Sequence, residues 1–218
     1  MKILHVIGSY GLGGQERTLL NLLKLQNSHE RISDVFALSD EGALKPDFLK
    51  VANCKSYNNP IVGFLSSFRK LLFIIDLINE KKYDIIQFYH YSTASRLWMF
   101  LKLFTNAKIS YFVGSQGHNK TRIQKFYVRT INRFIDLTIV NSETICDSFK
   151  LNKISSKFFL LQNILPIELF EKTHGNHFCH EKEEFNIGIV GRLDPVKRHD
   201  VFLKIAKRLS DVKKNINF

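Results

Sequence analysis

Residues 185–209, FNIGIVGRLDPVKRHDVFLKIAKRL, constrain the fold more than any other stretch of the chain. Ile187-Gly188-Ile189-Val190 is short, apolar and rich in β-branched residues, which predicts a buried parallel strand. Gly191 then lets backbone come close to a ligand, Asp194-Pro195 turns the chain, and Val201, Phe202, Ile205 and Leu209 recur at helical spacing. This order of strand, loop and helix puts Arg192 and Lys197 at the carboxyl end of a strand and the start of a helix. Open α/β sheets bind ligands at that point, and free helix amides favour anions, so a diphosphate suits the loop.

The same alternation runs through the rest of the chain. Strands are expected over residues 2–7, 33–38, 53–57, 84–89, 108–113, 136–141 and 157–162. Helical patterns separate them. Leu19, Leu20, Leu22 and Leu23 make one amphipathic run, and residues 61–82 carry Phe64, Leu65, Phe68, Leu71, Leu72, Ile75 and Ile78 on a broad apolar face. Ser92 is placed to cap a helix reaching about residue 104, and Ser142 to cap another. Between the first strand and first helix lies Gly8-Ser-Tyr-Gly-Leu-Gly-Gly-Gln-Glu, where Gly13 and Gly14 can expose amides to a phosphate. The spacing is neither a dinucleotide fingerprint nor a P-loop. Glu16, in the first helical turn, offsets the helix dipole.

At 218 residues the chain is long enough for one α/β domain with some chain left over, and too short for two complete ones. Its 44% hydrophobic and 24% charged content is that of a globular protein rather than a disordered one. A formal net charge of +12 calls for anionic partners. Part of that charge is concentrated over residues 120–133, where Lys125, Arg129 and Arg133 fall four apart on one helical face, compatible with peripheral contact to acidic lipid or a lipid diphosphate. No nucleic-acid-binding motif accompanies it. Cys54, Cys146 and Cys179 have no metal-ligand spacing, and His174, His177, Cys179 and His180 lack a second ligand pair in a defined frame, so no zinc site is expected. The first residues are too briefly apolar for a secretory signal, and no stretch reads as a membrane span. The simplest home is the cytoplasm.

The run IVGRLDPVKRHDVFLKIAKRL closely resembles the opening of the second domain of retaining glycosyltransferases of family 4, which have the GT-B architecture of two facing Rossmann-like domains. Gly13-Gly14-Gln15-Glu16 resembles the Gly-Gly-x-Glu element of that family, and Val140-Asn141-Ser142-Glu143 its Asn-Ser-Glu step. The resemblance implies that Arg192 and Lys197 grip the diphosphate of a nucleotide sugar. It further implies that Gly13 and Gly14 approach the donor sugar and diphosphate, and that His118 lies beside the sugar. Asn163 matches a position normally followed by Gly and an acid; here Ile164-Leu165-Pro166 follows, a departure from the pattern.

The fold expected is therefore α/β: a Rossmann-like parallel sheet with helices on both faces, the N-terminal half of a GT-B fold, plus the first strand and helix of a second Rossmann-like domain. The expected divisions are 1–165 for the acceptor-side domain, 166–185 for a linker, and 186–218 for the start of an incomplete nucleotide-sugar-binding domain, held loosely because one strand and one helix cannot bury both faces of a parallel sheet. The implied function is transfer of a hexose from a nucleotide sugar to a carbohydrate or lipid-linked acceptor, in surface polysaccharide synthesis, with no cofactor and no obligatory metal. Two alternatives stay open. One is a sugar-nucleotide epimerase of similar fold, and the other a non-catalytic basic α/β module that binds anionic membrane or nucleic acid.

Overall fold

The computed structural model describes residues 1–26, 32–57, 64–89, 101–114, 135–151, 157–164, 185–191, 193–212 and 216–218. It divides into two compact units, Met1–Pro166 and Ile167–Phe218.

The first unit is built on seven parallel strands: β1 (Lys2–Ile7), β2 (Ile32–Ala37), β3 (Asn53–Ser56), β4 (Ile85–Phe88), β5 (Lys108–Val113), β6 (Leu137–Val140) and β7 (Phe158–Leu160). Their order across the sheet is β3-β2-β1-β4-β5-β6-β7. Each strand expected in this part of the sequence is present, shifted by a residue or two at most ends. Two-residue alternation splits the strand side chains between the faces. Leu4, Val6, Phe36, Ile86, Phe88, Ile109, Tyr111 and Val113 form one core with α3 (Phe64–Lys81), through its Ile74, Ile75, Leu77 and Ile78. Ile7, Val35, Ala37 and Phe112 form the other, under Leu19, Leu20 and Leu23 of α1 (Gly14–Gln26) and Phe48 of α2 (Lys45–Val51).

Local chemistry explains the helix limits. Pro46 stands in the first turn of α2, where its missing N–H costs nothing. The sequence pattern does not predict that short helix, because one turn on either side of Phe48 gives too little periodicity. α3 stops at Lys82, which takes a left-handed backbone (φ 53°) that glycine more often supplies. Its buried stripe differs from the expected one: Leu72 is exposed, while Ile74 and Leu77 join Ile75 and Ile78 in the core. α4 (Glu143–Leu151) starts as expected from Ser142, whose Oγ accepts the Ile145 N–H at 3.4 Å. Among the described residues no helix is long and apolar enough to cross a membrane.

The second unit corrects one expectation. Residues 187–190 are not a buried strand. The strand there is β8 (Phe185–Asn186), parallel to β9 (Ile216–Asn217), with α5 (His199–Ser210) between them in sequence. Ile187 and Ile189 are 41% and 39% exposed, and Val190 and Leu193 are fully so. The physical reason is that the described residues of this unit give the segment little cover. Among the described residues of this unit, two paired strands and one α-helix offer little to pack against, and Ala206 is the only buried apolar one.

Candidate functional site

In the first unit, the reversal of strand order falls between β1 and β4, and the carboxyl ends of these two strands mark the switch point at which open α/β sheets bind ligands. The glycine-rich loop after β1 lies at this point. Its first half is tied down: the Tyr10 N–H donates to Glu41 O at 2.9 Å, and the Leu44 N–H donates to Tyr10 O at 2.9 Å. The Tyr10 ring is buried and packs on Phe48, with centroids 5.5 Å apart. Gly42 lies flat against this segment at φ 138°, and a Cβ there would stand 2.0 Å from the Tyr10 carbonyl carbon.

The second half of the loop carries Gly13 and Gly14. Gly13 caps α1, its carbonyl accepting the Arg17 N–H at 3.1 Å. A Cβ on Gly13 would meet the Glu16 carboxylate at 2.0 Å. Glu16 is buried and folds back over its own helix start, the placement of the acid in a capping box. Its first-turn position agrees with a dipole role, but its carboxylate also occupies the space beside Gly13. Gly14 differs, with nothing within 4 Å of its missing side chain. Of the two glycines, Gly14 is the one that faces open space.

Thr18, one turn on, donates to Gly14 O at 2.8 Å, and its hydroxyl lies 3.5 Å from Asn163 Oδ1. Asn141 Nδ2 reaches the same Asn163 oxygen at 3.3 Å, and Asn21 Nδ2 donates to Ile164 O at 2.9 Å. Asn163 thus joins the segments after β6 and β7 to α1, despite the departure in the residues that follow it. Asn141 and Asn163 each stand out separately in the sequence; the contact of Asn163 with Thr18 spans 145 residues and has no local signal.

Beneath the loop, His5 is fully buried in β1, in one lateral row with Gln87 of β4 and Ser110 of β5. Its Nδ1 lies 3.2 Å from the Tyr89 hydroxyl. Burial lowers its pKa from 6.5 to about 3, so the imidazole is neutral. Burial likewise pushes the Tyr89 phenol well above its ordinary range.

In the second unit, the loop from Gly191 closes through a 3-10 turn at Pro195–Lys197, where the Lys197 N–H donates to Asp194 O at 2.8 Å. Lys197 is exposed, and its Cγ and the His199 Nε2 each lie 3.6 Å from where a Gly191 Cβ would be. Arg198 caps α5 with a left-handed backbone (φ 54°, ψ 39°) and pairs with Asp200 at 3.2 Å. An L-residue pays roughly 1 kcal/mol for that conformation, and an exposed ion pair returns little of it. Arg198→Gly is therefore expected to stabilise α5 by ~0.5–1 kcal/mol, seen as slower amide hydrogen exchange over residues 199–210. His118 and Arg192 lie outside the described residues, as do the helix start at Ser92, the cationic face at 120–133 and the His/Cys group at 174–180. Among the described residues no three His, Cys, Asp or Glu side chains gather to hold a metal ion.

Neither a family model nor a curated protein matches the sequence. Solved structures do. HepE from Anabaena, solved in complex with UDP and glucose, superposes with a TM-score of 0.69 over 99% of this chain and 59% of its own, at 18% identity. A glycosyltransferase from Rickettsia africae gives 0.66 over 99% and 67%, at 13% identity. The lipopolysaccharide outer core galactosyltransferase WaaB gives 0.65 over 95% and 58%, at 19% identity. The chain has the α/β, Rossmann-like fold of part of these structures. This chain spans about 60% of the length of HepE and WaaB. Within the GT-B architecture, β1 to β7 correspond to one Rossmann-like half. An open groove lined by Lys82, Tyr83, Asp84 and Lys108 lies at the amino-terminal strand ends, the wrong edge for ligand binding in such sheets.

Proposed function

We propose that this chain belongs to a glycosyltransferase that moves a hexose from a nucleotide sugar to a carbohydrate or lipid-linked acceptor, at the cytoplasmic face of surface polysaccharide assembly. The observation that carries the reading is the superposition on HepE, bound to UDP and glucose, along 99% of this chain. It is joined by the Gly191 to Lys197 loop, whose sequence resembles the diphosphate grip of family 4. In such a reaction the leaving diphosphate gains charge as the glycosidic bond to it breaks. Arg192 and Lys197, with helix amides, would offset that charge without a metal, while Gly14 leaves room for the donor and His118 orients the sugar.

The test is donor binding by the 218-residue chain, measured by calorimetry at low salt with UDP-glucose and UDP. Each charge-assisted contact contributes ~1.5–3 kcal/mol, so Arg192→Ala with Lys197→Ala should weaken both ligands by at least about a hundredfold. Unchanged affinity would count against the assignment of the loop.

A second reading has its own observation. A UDP-N-acetylglucosamine 2-epimerase superposes with a TM-score of 0.57 over 99% of this chain. Release of the epimerised sugar nucleotide from UDP-N-acetylglucosamine, with no acceptor present, would favour it over transfer.

A further inference from the structure

We propose that Gln15 reads a hydroxyl of the donor sugar, with its carboxamide held in place by the missing side chain of Gly114. This rests on the nucleotide-sugar reading above and names the residue that would recognise the sugar rather than the phosphates.

Gly114 follows β5 directly, at the carboxyl edge of the sheet. A Cβ there would lie 2.9 Å from Gln15 Nε2 and 3.1 Å from its Cγ, tighter than ordinary contact. Glycine at the strand end therefore admits the amide of Gln15, bringing the first turn of α1 against the carboxyl end of β5. Gln15 is half-buried, so its position is restricted while part of it remains accessible. Its chain neighbour Gly14 faces open space.

The chemistry of the side chain chooses the ligand group. A carboxamide both donates and accepts, which matches a hydroxyl, and it carries no charge with which to hold a phosphate. In a chain with 32 Lys and Arg, a neutral amide placed beside the open glycine suits the uncharged part of the donor. Sites that hydrogen-bond a hydroxyl also discriminate strongly against ligands that lack it.

The experiment compares UDP-glucose with UDP on the 218-residue chain by calorimetry. The wild type should prefer UDP-glucose. Gln15→Ala should bind UDP-glucose roughly tenfold more weakly, the loss of about one hydrogen bond, and leave UDP unchanged; retained UDP affinity also shows that the variant is folded. Gly114→Ala, which keeps Gln15 but displaces its amide, should reproduce the loss, and the double variant should be no worse than either. Equal affinity of the wild type for the two ligands overturns the proposal, as does a Gln15→Ala effect that is absent or falls equally on both. Absence of UDP binding by the wild type instead removes the nucleotide-sugar reading beneath it.

Discussion

Gly42→Ala is expected to destabilise the first unit by ~3–5 kcal/mol, a large part of the stability of an ordinary domain. Two costs coincide at this residue. Its φ of 138° lies where L-residues are strained, and a Cβ would overlap the Tyr10 carbonyl carbon at 2.0 Å and its oxygen at 2.1 Å. Both obstructing atoms are backbone, so no rotamer change relieves the clash. Relief means separating the 39–44 loop from the glycine-rich loop and losing the hydrogen bonds between Tyr10 and Glu41 and between Leu44 and Tyr10. Urea denaturation of the two proteins measures the difference; a loss below 1 kcal/mol would mean that these loops are not joined in this way. Gly114→Ala is the internal contrast, since the atoms it meets are the movable end of Gln15 and its cost in stability should be small.

The second large effect is on acid stability. His5 stays neutral in the folded chain until about pH 3, whereas an unfolded histidine takes its proton near 6.5. Between those values the unfolded state binds the additional proton, so protons favour unfolding and stability falls as pH falls. The slope is ~1.4 kcal/mol per pH unit, or ~2–3 kcal/mol on going from pH 6.5 to 4.5. Above pH 6.5 neither state carries the proton and His5 adds no pH dependence. His5→Leu with Tyr89→Phe, which removes both members of the buried pair, should flatten the acid limb by that slope. Stability measured at half-unit pH steps gives the comparison, and identical slopes in the two proteins would show that His5 is reached by protons in the folded state.

How far each feature could be read from sequence depended on how local its cause was. The strands of the first unit stood out because apolar β-branched runs such as those of β1 and β5 need no partner to be recognised. The Ser142 cap was legible for the same reason, as a cap and its amide lie three residues apart. Gly42 was not. A glycine after a strand reads as a loop residue, and only the nearness of Tyr10, set by the β1-β2 pairing, makes it obligatory. The contacts of Gln15 with Gly114 and of Thr18 with Asn163 join residues far apart in sequence, brought together by strand order. The strand expected at 187–190 is not found for the opposite reason: its residues have the composition of a buried strand, but burial is a property of neighbours, and the described residues of the second unit supply few.

The sequence by itself determined the alternation of strand and helix, the parallel α/β class and the glycine and cation motifs, because periodicity and turn chemistry act over a few residues. Only the tertiary structure decided that Gly14 is open while Glu16 covers Gly13, that Gln15 rests on Gly114, and that His5 is held neutral. Those are matters of which atoms share a space, and that follows from the order of strands in the sheet.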